Sequence, residues 1–231
     1  MNNIGFKIAV ISSLAKDVFL NKNRVIKIEK GGPAFWIEKI LKKLNMPYRI
    51  FLAKPNALVK IHMPEEFGEI VSLGEAKIPK SLRADITIVS TIGNELSLSD
   101  LEKINGSIAL DVQGFVRYLK GAKKFILPQG LSGRVKILKA TKQEMQKVSE
   151  KLIRDQKNRI LIVTNGARGF EVLAGRKKHK FLPKKINPSD TVGAGDVLLA
   201  SFVVNFMRTQ NPKSAGEFAL GYVARFISSK K

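Results

Sequence analysis

The run Ser189-Asp190-Thr191-Val192-Gly193-Ala194-Gly195-Asp196 holds residue types that can manage a phosphate group. Two glycines separated by one alanine leave the backbone bare and free to take unusual dihedrals. The run feeds directly into residues 197–207, which are apolar nearly all round and read as a buried helix. A helix N-terminus presents unpartnered N–H groups and the positive end of the dipole, so it binds phosphate or another anion. Asp196 sits at the same spot. A carboxylate there favours the helix dipole by ~0.3–1 kcal/mol. It also suits a base that takes a proton from a substrate hydroxyl beside the bound phosphate. The residues by themselves leave both roles open.

Other chemistries find less support. No G-x-x-x-x-G-K-[ST] run is present, and no G-x-G-x-x-G follows the first strand, so neither a P-loop nor a Rossmann fingerprint exists. There is no cysteine, which removes disulfides, thiolate zinc sites and a Cys nucleophile. His62 and His179 are far apart, make no metal-ligand spacing and read as solvated loop residues.

The elements that must position the run can be read from periodicity. Short β-branched runs at 7–11, 48–52, 86–90, 108–111, 135–138 and 160–164 predict strands. Several are continuously apolar, as strands buried on both faces are. Helical patterns lie between them, at 34–44, 99–104, 141–154, 197–207 and 214–227. Strands alternating with helices predict βαβ units and a mainly parallel sheet, whose ligands sit beyond the carboxyl ends of the strands. Residues 53–83 mix prolines and glycines with short apolar runs and read as an irregular excursion or a small flap. With no internal repeat and no linker, the expectation is a single domain over 1–231.

Composition bounds the class. The chain has 231 residues, 44% hydrophobic and 26% charged, which suits a globular protein with a sizeable core. Its 41 Lys and Arg against 19 Asp and Glu give a net charge of +22. The cations are scattered in pairs and threes (Lys42-Lys43, Arg176-Lys177-Lys178, Lys184-Lys185), short of the about five or six that mark a nucleic-acid tail. Three Tyr and one Trp leave little for base stacking. A solvated basic surface that attracts anionic metabolites is the simpler reading, with no specific nucleic acid. No stretch is long and apolar enough to span a bilayer, and residues 8–11 read as a strand rather than a leader. The expected location is cytoplasmic.

The run 190–196 resembles the D-T-x-G-A-G-D signature of the ribokinase-like pfkB carbohydrate kinases. Further segments resemble that family in its order. They are Gly31-Gly32-Pro33-Ala34 at a helix start, the strand from Ala84-Asp85-Ile86, Asp111-Val112-Gln113-Gly114 through Arg117, and Val163-Thr164-Asn165-Gly166 through Gly169. The resemblance implies a three-layer α/β/α sandwich with a mainly parallel sheet and a small or reduced β lid. It implies transfer of the γ-phosphoryl of ATP, with Mg²⁺, to a hydroxyl of a sugar, polyol or nucleoside. By resemblance Asp196 is the base, and the N–H groups of Gly193, Ala194 and Gly195 form the anion hole. Thr164, Gly166, Gly169 and Thr191 line the nucleotide site, although Gly166 and Gly169 also suit a plain hairpin turn. Asp17 holds substrate hydroxyls, with Gly31 and Gly32 letting the backbone approach; an ordinary loop carboxylate and a turn are the alternatives.

The chain departs from the family in three places. Where many members carry N-x-x-E to organise the Mg²⁺ waters, Thr141 replaces the Asn and Glu144 is kept. Thr141-x-x-Glu144 is also a capping box, so Glu144 has two readings, and Asp111 is a second acidic candidate for the metal. Phe35 and Trp36 stand where an Asn is common, either as a wall for a ring or as core. The chain is short, with the abbreviation expected in the lid. A reduced lid implies weaker exclusion of water, or a homodimer that covers the site. A catalytically degenerate ligand-binding or regulatory protein on the same fold is the alternative function.

Overall fold

The β-branched runs form a sheet buried on both faces. In the computed structural model, which describes residues 7–80, 82–184 and 190–230, the chain runs β1 (Ile8–Ser12), β2 (Ala15–Asn21), β3 (Arg24–Gly31), α1 (Pro33–Lys43), β4 (Tyr48–Leu52), β5 (Ala57–Met63) and β6 (Phe67–Ser72). It continues with β7 (Arg83–Ser90), α2 (Leu98–Glu102), β8 (Asn105–Asp111), α3 (Gln113–Val116), α4 (Gln129–Ser132), β9 (Val135–Thr141) and α5 (Glu150–Lys157). It ends with β10 (Ile160–Thr164), β11 (Phe170–Ala174), β12 (Lys177–Phe181), α6 (Ala194–Thr209) and α7 (Pro212–Ser228).

The main sheet has eight strands in the order β12-β11-β10-β9-β8-β7-β1-β4. The strands from β10 across to β4 pair in parallel, and β11 and β12 add on antiparallel. Successive residues of a strand point to opposite faces. Ile8 and Val10 of β1 join Trp36, Ile37, Leu41, Phe202 and Val203 on the side of α1, α6 and α7. Ala9 and Ile11 join Leu101, Val116, Leu131 and Leu152 on the side of α2 to α5. The three-layer α/β/α arrangement follows from these two cores. Helix α6 lies against α1 and α7, and its residues from Val197 to Val204 are buried, as its all-round apolar character predicts. No helix among the described residues is long and apolar enough to cross a membrane.

Residues 53–83 are more regular than their composition suggests. They contribute β5 and β6 to a second, small sheet of four strands, β3-β2-β5-β6. The other half comes from β2 and β3, where the sequence predicts no element. Its apolar side gathers Ala15, Phe19, Ala57, Val59 and Ile61, and packs with Ile92 and Val192. Val192 belongs to the phosphate-type loop, so the small sheet covers that loop. Val25, Ile26 and Ile28 of β3 are more than half exposed.

The helix expected over 141–154 is divided. A single 3-10 turn at Glu144–Lys147 is followed by extended Val148, and α5 starts afresh behind Ser149, whose side chain accepts from the Leu152 N–H. The reciprocal Thr141–Glu144 hydrogen bonds are present, Thr141 N–H to Glu144 Oε2 at 2.7 Å and Glu144 N–H to Thr141 Oγ1 at 3.1 Å. They cap one turn rather than a helix.

Candidate active site

Parallel strands bring their carboxyl ends to one edge of the sheet. Ser12, Ser90, Asp111, Thr141 and Thr164 are the last residues of β1, β7, β8, β9 and β10. The N-terminus of α6 meets this edge. Its cap, Gly193, has φ 90° and ψ −8°, a left-handed conformation that a side chain disfavours. The Trp36 indole also lies where a Cβ at Gly193 would project.

Asp196 stands in the first turn of α6, partly buried. Ser90 Oγ donates to its Oδ1 at 3.1 Å, and Ser12 Oγ donates to the Ser90 carbonyl at 2.6 Å. Burial pushes the Asp196 carboxyl up to about 7 against the pull of Lys139, with the Asp111 carboxylate adding to the rise and the Ser90 hydroxyl opposing it. Of the three backbone donors expected from the motif, the Ala194 N–H is taken by the Thr191 carbonyl at 3.0 Å. Those of Gly193 and Gly195 have no backbone acceptor among the described residues.

Asp111 and Glu144 meet around a buried lysine. Lys139, in β9, donates to Asp111 Oδ2 at 2.5 Å, and both side chains are almost fully buried, at 5% and 2% exposed. Burial opposes the Lys139 charge, but the Asp111, Asp196 and Glu144 carboxylates outweigh it and hold the ammonium above the usual lysine range. Burial, then the neighbouring Asp111 charge, raises the Glu144 carboxyl, while Lys139 and Thr141 oppose the rise. The other Asp111 oxygen accepts from the Gln113 N–H at 3.2 Å.

This arrangement does not build a direct magnesium site. Asp111 is committed to Lys139 and Gln113, and Glu144 to Thr141. Among the described residues no three His, Cys, Asp or Glu side chains come together to hold a metal ion.

Asp17, Gly31 and Gly32 form a second group. Asp17 lies on β2 opposite Glu29 of β3, rather than in a loop after β1. Its carboxylate occupies the space a side chain at Gly31 would need, close to the backbone of Gly32. Burial raises the Asp17 carboxyl to about 6 against the pull of the Gly32 backbone N–H, with Glu29 and Asp190 raising it further and Lys230 lowering it. Gly32, at φ 84°, caps α1 with no room for a Cβ between it and the backbone of Ser13 and Ala15. The two groups sense each other: the Asp17 charge is among the causes that raise Asp196.

The loop that carries Asp196 is held from several sides. Lys230 bridges to Asp190 and donates to the Val192 carbonyl at 2.7 Å. Glu66, from the β5–β6 turn of the small sheet, accepts from the Thr191 N–H at 2.6 Å and hydroxyl at 2.5 Å. Trp36 packs edge-on to Phe35 and Phe226 beneath Gly193. The Phe35–Trp36 pair therefore supports the loop and the core. Ser189, at the head of the motif, lies outside the described residues.

Thr164, Gly166 and Gly169 sit at the far end of the same edge. Thr164 pairs in register with Thr141, and its carbonyl accepts from the Lys142 N–H at 2.8 Å. A 3-10 turn at Gly166–Arg168 then leads into β11, so the hairpin expected between Val163 and Phe170 is present.

Lys139, Ser90 and Glu66 are the residues that sequence reasoning missed. Lys139 did carry a signal, as a lysine inside an apolar run at the carboxyl end of a parallel strand. The serine and the glutamate carry none, because their partners lie 106 and 125 residues away.

Comparison with known proteins identifies the fold. Residues 131–230 match the model of the pfkB family carbohydrate kinases. A pyrophosphate-dependent kinase in the ribokinase family, complexed with a pyrophosphate analog and myo-inositol, is similar over 96% of this chain and 95% of its own, at TM-score 0.73 and 13% identity. The Methanocaldococcus jannaschii nucleoside kinase, an archaeal member of that family, is similar over 97% and 92%, at TM-score 0.72 and 17% identity. The Arabidopsis thaliana ribokinase complexed with ribose and ATP is similar over 99% and 94%, at TM-score 0.71 and 14% identity. A search of curated protein sequences gives no significant match. The chain thus has the ribokinase fold over nearly its whole length, and its C-terminal part, residues 131–230, carries the pattern of the pfkB family of carbohydrate kinases.

Proposed function

We propose that this chain is a kinase that transfers the γ-phosphoryl group of ATP to a hydroxyl of a sugar, polyol or nucleoside. The observation that carries the reading is Asp196: a carboxylate in the first turn of α6, beside N–H groups of Gly193 and Gly195 that have no backbone acceptor among the described residues, with its pKa raised to about 7. A general base works best with a pKa near the operating pH. The Ser90 hydrogen bond leaves Oδ2 of Asp196 for a substrate proton.

In this reading the acceptor hydroxyl lies between Asp17 and Asp196. Asp17 accepts hydrogen bonds from neighbouring hydroxyls, which suits sugars and polyols, and Gly31 leaves the space that its carboxylate fills. Asp196 takes the proton as the acceptor oxygen bonds to the γ-phosphorus. The bond from that phosphorus to the β-phosphate bridging oxygen breaks, its electron pair leaves with ADP, and Asp196 then releases the proton to solvent. The Gly193-Ala194-Gly195 turn faces the charge on the transferring group. Thr164, Gly166, Gly169 and Thr191 are assigned to the nucleotide. Magnesium would accompany the donor phosphates; Glu144 and Asp111 reach it through water at most, so no step is assigned to it.

The test is ADP formation from ATP and Mg²⁺ across a panel of sugars, polyols and nucleosides, with the Asp196→Asn variant as control. Turnover that falls by about 10²–10⁴ in the variant, with its fold intact, supports the base. Unchanged turnover overturns it. The second reading, a ligand-binding protein that has lost catalysis, is favoured by Thr141 in place of an Asn. It predicts tight nucleotide or sugar binding with no turnover anywhere in the panel.

A further inference from the structure

The buried ammonium of Lys139 has more hydrogen-bonding capacity than the protein uses. A lysine ammonium has three N–H groups. Lys139 donates to one acceptor, Asp111 Oδ2 at 2.5 Å, although its side chain is only 5% exposed. Buried charges are ordinarily satisfied in full. Two of its N–H groups therefore stand inside the protein without an acceptor among the described residues.

The place they occupy is specific. A Cβ built on Gly195 would lie 2.8 Å from Lys139 Nζ and 3.3 Å from its Cε, so the ammonium touches the first turn of α6. The N–H groups of Gly193 and Gly195, which have no backbone acceptor among the described residues, open at that same turn. Helix α6 has 16 residues, long enough for its dipole to count. A helix end, two idle backbone donors and two idle ammonium donors make a site for a tetrahedral oxyanion. The glycine at 195 is explained by the same contact, since any side chain there would displace the ammonium.

We propose that Lys139 is a catalytic residue, and that its ammonium binds the phosphoryl group during transfer together with the N–H groups of Gly193 and Gly195. This rests on the kinase reading above and adds a fixed positive charge to it. Lys139 keeps its proton throughout. It stabilises negative charge on the non-bridging oxygens while the donor-side P–O bond breaks and the acceptor-side P–O bond forms, and the acceptor proton goes to Asp196. Fixed donors aimed at developing charge contribute strongly because they need not reorganise. The ligand class is the terminal phosphoryl of a polyphosphate, carried either by a nucleoside triphosphate or by inorganic pyrophosphate.

The test measures binding without metal. Inorganic pyrophosphate and ATP are titrated separately, in EDTA, into the wild type and the Lys139→Met, Lys139→Arg and Asp111→Asn/Lys139→Met variants. The double variant removes both charges, so no buried carboxylate is stranded if the single one misfolds. Wild type should bind at least one donor without metal, Lys139→Arg should keep part of that affinity, and the Met variants should lose about tenfold or more. The two titrations separate the donor classes. In turnover assays Lys139→Met should lower kcat by about 10²–10³ with the acceptor KM little changed. Equal metal-free binding by wild type and the double variant overturns the proposal, as does no metal-free binding by wild type. Lysine-dependent binding with no turnover on any acceptor keeps the site and overturns the kinase reading; turnover that ignores Lys139 does the reverse.

Discussion

The carboxylate of Asp17 fills the space that a side chain on Gly31 would occupy. The two residues are on neighbouring strands of the small sheet, with Asp17 opposite Glu29 in the register. A methyl group at position 31 must push the carboxylate aside. Gly31→Ala is expected to raise the acceptor KM by about tenfold or more, with a smaller effect on kcat and little loss of stability. Steady-state kinetics in both substrates, with a melting curve, checks this; an unchanged acceptor KM would separate Asp17 from acceptor binding.

Removing the Ser90 hydroxyl tests how Asp196 is tuned. The hydrogen bond favours the charged carboxylate, and bonds to charged groups contribute about 1.5–3 kcal/mol. Ser90→Ala should shift the acid limb of kcat/KM to higher pH by about one to two units. At a pH well above that limb the variant should approach wild-type turnover. A pH profile that does not move contradicts the tuning.

The raised carboxyls set a pH window for activity and stability with opposite signs. Asp196, near 7, must be ionised to act as base, so kcat/KM should climb with pH through about 7 and then level. Asp17, near 6, adds a second ionisation, so the fall should steepen below about pH 6. Stability runs the other way. A carboxyl whose folded pKa lies above its unfolded value contributes stability that is full below about pH 4 and lost as pH rises through 6 to 7. Asp196→Asn should therefore gain Tm relative to wild type as pH rises from about 5 to about 8. Melting curves across that range check the sign.

Gly193→Ala should be more damaging than its size suggests. Left-handed backbone costs a non-glycine residue roughly 1–2 kcal/mol, and the added methyl would meet the Trp36 indole. The expected result is a lowered Tm together with loss of turnover. Gly221, within α7 with nothing near its absent Cβ, is a suitable control; Gly221→Ala should leave both measurements close to wild type.

Much of the fold could be read along the chain because its strands are local apolar runs and its helices carry local periodicity. The small sheet was harder. β2 and β3 join Asp17 to Gly31 through residues such as Lys16, Lys27, Glu29 and Lys30, and their polar composition resembles a loop until β5 pairs alongside. The loop around Asp196 was legible because contiguous residues make it. Lys139 and Ser90 were not, since they matter only where strand ends from distant parts of the chain converge. Thr141 and Glu144 had two readings because the same pair of hydrogen bonds serves a helix cap and the rim of a charged cluster.

Asp17 belongs to the small sheet, whereas Asp196 belongs to α6, which is packed into the main body. In the proposed reaction, recognition of the acceptor and removal of its proton are thus assigned to different sheets and helices of the fold. Any shift of the small sheet changes the distance between those two carboxylates, while Ser90 and Lys139 stay with the main sheet. Under the proposed function, water entering alone has no sugar-like pattern of hydroxyls for Asp17 to hold, so it would arrive without the anchor that brings an acceptor into line. Fidelity against hydrolysis is then a matter of which molecule can span both bodies at once.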